Sequence, residues 1–258
     1  MTIDDRYIEA LLTHLQQRPG TAAARTLDVR VGPFWVAVQT SIGTGVASTL
    51  AGEARPNDSF PVADAGRLHE LTPLALAELA RSSSTPEAAI GLAAVNALVG
   101  VPEAGLGELN AEAAIRARGS NRAVAVIGHF PFVDRLRPVC RELWVFEHDP
   151  NRQAGDLGPD QVPELLPRAE VVAITASTLV NHTLAEILAA VSPEAFMLMV
   201  GPSTPLCETM FRFGFDLLCG SLVVDPESVL RQASQGAVTR QIHGVRKVTM
   251  VRAGGGNP

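Results

Sequence analysis

From Arg122 onward the chain sets down four short, almost unbroken apolar runs: RAVAVIG, ELWVFE, EVVAITA and AFMLMVG. Helix-like segments separate them. A strand with one wet face alternates apolar and polar residues, so continuous runs mean strands covered on both faces, as in a parallel sheet between helices. DLLCGSLVVD, a helical PESVLRQASQG and an alternating VRKVTMVR follow. This rhythm predicts an α/β layer with right-handed crossovers.

The first half follows a different order. Ile3, Tyr7, Ile8, Leu11, Leu12 and Leu15 recur at helical spacing and predict an opening helix ending near Pro19-Gly20. LDVRVGPFWVAVQT alternates around Gly32-Pro33 as two strands joined by a turn, and GTGVASTLAGE predicts a third strand bracketed by glycines. TPLALAELARSS starts a helix with Thr72 as cap and Pro73 at the first helical position. STPEAAIGLAAVNALVG repeats that start at Thr85-Pro86 and closes at Gly100. Strands followed by helices make an α+β unit. LNAEAAIRARGSN is read as the bridge, giving domains over 1–118 and 119–258. A length of 258 residues agrees with two domains of roughly 150 residues each.

Charge and composition narrow the partners. The net charge is -6 with no basic block, and only 5% of residues are aromatic, which excludes nucleic acid and an anionic membrane surface as expected partners. No apolar run reaches the roughly 18 to 20 residues of a membrane span. The N-terminus has no basic region ahead of an apolar core, and the three cysteines form no CxxC pair. A cytoplasmic location is therefore expected.

In an open α/β sheet, ligands bind beyond the carboxyl ends of the strands, near the point where strand order reverses. The four runs end in GHFPF, FEHDP, TASTLVN and GPSTP. These ends supply the candidate binding residues Gly128, His129, Phe130, Glu147, Ser177, Thr178, Asn181, Gly201, Ser203 and Thr204. Ser177, Thr178, Ser203 and Thr204 stand at or before expected helix starts. There, hydroxyls either cap the helix or join free N–H groups in holding an anion, and both readings stand.

Glu147 lies 19 residues after Gly128, where a nucleotide fold bonds ribose hydroxyls. GHFPFVD is not GxGxxG, however, and Phe130 and Pro131 obstruct a pyrophosphate, so a standard NAD site is disfavoured. His129 can act as acid, base or metal ligand, or bond a local carbonyl. With Glu147, His148, Asp149 and Asp156 it could offer N and O ligands to a transition metal, although no HxH, HExxH or CxxC spacing occurs. Cys207 and Cys219 sit in apolar surroundings and read as core, and no GxSxG elbow is present.

GHFPFVDRLR, VFEHDP, Gly155-Asp156, ELLPRAEVVAITASTLVNHTL, VGPSTPL and GFDLLCGSLVVDPE together resemble the heavy-metal chelation family of bacteria and archaea, from Val124 to about Gly236. QTSIGTGVAST resembles that family's glycine-rich strand segment and GLAAVNALVG its helix, while Ala176 stands where members often have glycine. The resemblance implies an enolase N-terminal-like α+β domain ahead of a Rossmann-like parallel-sheet domain, with a site at their junction reached by Thr40, Gly43 and Asn96. It implies a small polar or anionic ligand, a metal or a metal chelate, with His129, Glu147 and Asp156 toward the metal. His129 and Glu147 are also the catalytic candidates of the alternative, an enzyme acting on a nucleotide-like or small organic ligand in making a chelator. A homodimer is allowed by base rate.

Overall fold

The computed structural model describes residues 6–50, 62–101, 105–108, 110–148 and 153–253. Asp149, the far glycine bracket at Gly52 and the GGGNP tail lie outside them. The chain opens with helix α1 (Arg6–Gln17), which buries Tyr7, Ile8, Leu11, Leu12 and Leu15 on one face, as their spacing requires. Strands β1 (Thr26–Val31), β2 (Trp35–Thr40) and β3 (Gly43–Ser48) form an antiparallel sheet in that order. Helix α2 (Pro73–Glu78) is capped by Thr72, whose hydroxyl accepts from the Ala75 N–H at 3.2 Å. Helix α3 (Thr85–Leu98) starts one residue earlier than the Thr-Pro pattern suggests: Ser84 holds the cap position and makes no side-chain cap bond.

Helix α3 is apolar all round because neighbours cover it all round. Gly45 lets it lie flush on the sheet, since a Cβ there would sit 2.2 Å from Ala93 O. Beyond it come β4 (Leu106–Gly107), α4 (Ala111–Gly119), β5 (Ala123–Ile127), α5 (Val133–Leu136), β6 (Glu142–Phe146), α6 (Val162–Leu165) and β7 (Val171–Thr175). Helices α7 (Ser177–Val180) and α8 (Leu184–Ala190), β8 (Phe196–Val200), β9 (Leu217–Val223), α9 (Pro226–Ser234) and β10 (Val245–Val251) complete the chain.

The second sheet has seven strands in the order β4-β10-β9-β8-β7-β5-β6. Strands β5 through β9 are parallel, and β10 and β4 are antiparallel to their neighbours. Strand β5 lies between β6 and β7, so successive strands are added on opposite sides of it and the order reverses there. Strand β4 lies ahead of the 118/119 division and α4 starts ahead of it, yet both are bound to this large sheet: β4 pairs with β10, and Ala114 and Ile115 of α4 join its core.

Strand β5 shows why its residues read as continuous. Ala125 and Ile127 enter the cluster on one face, Val124 and Val126 the cluster on the other. The first of these clusters runs without a break into Leu11, Leu76, Ala89 and Val36 of the front half, so the front domain serves as one cover of the parallel sheet. A third cluster joins Trp35, Ala37 and Val46 of the front sheet to Val229, Leu230 and Ala233 of α9. Helix α9, late in the chain, thus covers the sheet that comes first in sequence.

Candidate functional site

A cavity of about 480 Å³ opens at the carboxyl ends of β5, β6 and β7, beside the strand-order reversal. Its floor includes Gly128, His129, Phe130, Glu147, Ser177, Thr178 and Asn181. Three of the four expected strand ends therefore meet in one place. Gly128 makes the floor turn: its φ is +92°, which L side chains avoid, and a Cβ would come 3.1 Å from Thr175 Cγ2.

His129 and Asp156 form the most distinctive pair. His129 Nδ1 lies 2.8 Å from Asp156 Oδ2, with the His side chain 16% exposed and the Asp side chain 0% exposed. A carboxylate only accepts, so the bond takes its proton from Nδ1, and Nε2 is the ring nitrogen that Asp156 does not engage. Asp156 Oδ2 also accepts from the Gln153 N–H at 3.2 Å, while Oδ1 is buried with no partner among the described residues.

Glu147 holds the neighbouring turn together. Its Oε2 accepts from the His129 N–H at 2.9 Å and its Oε1 from the His148 N–H at 2.7 Å, so one carboxylate joins the ends of β5 and β6. The hydroxyl-rich turn after β7 is mixed in character. Thr178 Oγ1 donates to Thr175 O at 2.7 Å, whereas Ser177 lines the cavity with its hydroxyl unbonded among the described residues. The Asn181 amide lies 2.8 Å from Thr183 Oγ1. With its nitrogen toward the turn, it also donates to the Ser177 and Thr178 carbonyls at 3.3 Å. Ala176 sits at φ −66°, an ordinary right-handed conformation, so this turn has no need of the family's glycine.

The fourth strand end goes elsewhere. Ser203 is 1% exposed and its Oγ accepts from the Ser48 N–H at 2.8 Å; its carbonyl accepts from Asn96 Nδ2 at 3.2 Å. Asn96 Nδ2 also donates to Val46 O at 2.9 Å. Ser203 and Asn96 thus fasten the two halves together, and Thr204 is buried beside them. Gly201 takes the turn at φ +121° and does not line the cavity. Thr40 Oγ1 donates to Gly43 O at 2.9 Å inside the β2–β3 hairpin, and Gly43 packs against Ala97. None of Thr40, Gly43, Asn96, Gly201, Ser203 and Thr204 faces the cavity. The front half contributes Leu50 instead.

The opposite wall was not legible as such. Pro159, Val162, Glu186 and Ile187, from α6, α8 and the turn before α6, enclose the cavity from that side. Their only sequence signal is helical amphipathicity, which reads the same toward a cavity as toward a core. The lining includes Glu147 and Glu186 and, among the described residues, no Lys or Arg. His129 and His148 are the other ionisable groups of the same lining. Burial pushes the Cys219 thiol up to about 12 and raises that of Cys207, so both are inert packing groups.

No group of three or more His, Cys, Asp or Glu side chains is arranged to hold a metal among the described residues. No helix among them is long and apolar enough to cross a membrane. Two family models, both described as "Putative heavy-metal chelation", match residues 112–252 (DUF364) and 17–99 (DUF4213). The chain is similar to a crystal structure of a DUF364 protein of unknown function from Desulfitobacterium hafniense DCB-2. Identity is 25% over 96% of this chain and 98% of that one, with a TM-score of 0.82. A second DUF364 structure, from Pyrococcus horikoshii, shares the fold at 21% identity, 95% and 99% coverage and a TM-score of 0.77. No curated protein matches the chain.

Proposed function

The chain belongs to the DUF364 heavy-metal chelation family, and from that premise we propose that its cavity takes up a metal ion carried inside a small organic chelate. The observation that carries this reading is the His129–Asp156 pair, in which a fully buried carboxylate orients an imidazole at the cavity floor. A buried carboxylate on the far ring nitrogen is the usual means of fixing a metal-binding histidine and raising its basicity.

The donor set argues for a chelate over a bare ion. Transition metals bind through several N, O or S donors at once. Here both Glu147 oxygens already accept backbone N–H groups and Asp156 is walled in, which leaves His129, His148 and Glu186 as the strong donors of the lining, and among the described residues no three such groups are arranged to hold one metal ion. The chain therefore supplies a minority of the ligands and the chelator the rest. Phe130, Val162 and Ile187 offer the chelator's carbon skeleton an apolar wall, and the Ser177 hydroxyl offers it a hydrogen bond.

Titration calorimetry with protein purified without an affinity tag tests this reading. Copper, nickel and zinc are each added as the aqua ion and as a complex with a small amino-carboxylate chelator. The expected result is heat with a complex and about ten-fold or greater loss of affinity in His129→Ala, as is usual when a metal-site group is removed; that variant also loses stability, because Asp156 is left buried without its imidazole partner, and circular dichroism checks that it is folded. Absence of binding by every ion and complex would sink the reading.

The same pair supports a second use. An imidazole held by a buried carboxylate is also how a general base is oriented, which makes an organic ligand with an acidic proton the substrate class of an enzymatic alternative. Turnover of a bound chelator that is lost in His129→Ala while binding persists would favour it.

A further inference from the structure

Strand β1 is the margin of the three-stranded sheet: β2 pairs with one side of it, and no strand among the described residues pairs with the other. The register decides which backbone groups look outward. Gly32 donates to Trp35 O at 2.8 Å, and Arg30 and Asp28 stand opposite Ala37 and Gln39, so these three hold the hydrogen-bonded positions toward β2. By the alternation of an antiparallel ladder, Val29 and Val31 turn their N–H and C=O groups away from the sheet.

The side chains along this margin are arranged symmetrically. Asp28 and Arg30 flank Val29 with opposite charges on one face of the strand, and Arg30 Nε donates to Asp28 Oδ2 at 2.9 Å. Leu27 and Val31, at the two ends, are 50% and 43% exposed. Edge strands normally block further pairing with inward charges, proline or bulges. The single bulge here, at Leu27, leaves the stretch from Asp28 to Val31 regular.

We propose that β1 pairs antiparallel with β1 of a second copy of this chain, about a two-fold axis through Val29. In that register Val29 faces its own copy as a hydrogen-bonded pair. Asp28 faces Arg30 of the second copy, Arg30 faces Asp28, and exposed Val31 lies beside exposed Leu27. The two intrachain ion pairs then join into a ring of four alternating charges. Moving the axis to Asp28 or Arg30 would set like charges opposite each other, and would bring to the axis backbone groups already used by β2. The pairing is isologous, as a two-fold dimer requires, and is independent of the cavity.

Sedimentation velocity on the full chain tests it. The wild type is expected to show a concentration-dependent monomer–dimer equilibrium. Asp28→Arg and Arg30→Asp should each weaken it roughly tenfold or more, because opposed cross-strand pairs become like-charged. Equal mixing of these two variants should restore the dimer, since one copy then carries only basic and the other only acidic residues at these positions. The double exchange Asp28→Arg with Arg30→Asp should restore it within a single chain. Circular dichroism checks that each variant is folded. A wild-type chain that stays monomeric, or whose margin pairs only with unrelated strands, overturns the proposal. So does either single variant dimerising as tightly as the wild type, or a mixture that fails to recover.

Discussion

At the scale of single residues, hydroxyls of the same kind do different work according to what stands opposite them. Ser177 and Ser203 occupy like places after neighbouring strands, yet Ser177 lines the cavity and Ser203 accepts the Ser48 N–H in the interior. Ser203→Ala takes the acceptor from that half-buried donor, and removal of one partner of a buried hydrogen bond costs about 1 to 3 kcal/mol, the lower end applying here. Urea denaturation is expected to show that loss in Ser203→Ala with ligand uptake intact. Ser177→Ala should unfold as the wild type does and take up less ligand. The sequence placed both serines in turns after buried strands, and no local signal distinguishes them. What separates them is Ser48, which is 155 residues from Ser203 along the chain. The His129–Asp156 bond is hidden in the same way: a separation of 27 residues matches no short ligand spacing.

At the scale of elements, the apolar rhythm was the most legible feature, because both faces of β5 to β8 are covered and composition alone records that. The order of the strands was not legible; it depends on which neighbours pair, and the site lies where that order reverses. The sheet's opposite rim offers a test. Glu170, just ahead of β7, accepts the Ala123 N–H at 3.0 Å and the Arg141 guanidinium at 2.7 Å. The Ala123 N–H first, then Arg141, hold its carboxyl below its ordinary value of 4.5. A depressed carboxyl stabilises the fold above its ordinary range, and the contribution disappears as pH falls through the lower, folded value. Wild type should therefore lose more stability than Glu170→Gln between neutral pH and that acid range, with the two melting curves converging at its lower end.

At the scale of the whole molecule, two recognisable halves share cores instead of merely touching. The cluster on one face of the parallel sheet extends into α1, α2 and α3, and α9 covers the far side of the front sheet. Neither half can bury its apolar surface alone. Calorimetry is expected to show one cooperative transition whose calorimetric and van't Hoff enthalpies agree, as in a two-state unit; chains cut at 118/119 should be insoluble or unfolded. Two separated transitions would show that the halves are independent. The Ser203–Ser48 and Asn96–Ser203 bonds carry a related consequence for traffic through the cavity. With that seam fastened, the ligand of the proposed function is expected to enter without the halves swinging apart like a hinged shell. The ligand's expected way in is then the open side of the cavity, past Pro159, Val162 and Ile187, so uptake and release should be paced by the breathing of a few residues on one rim.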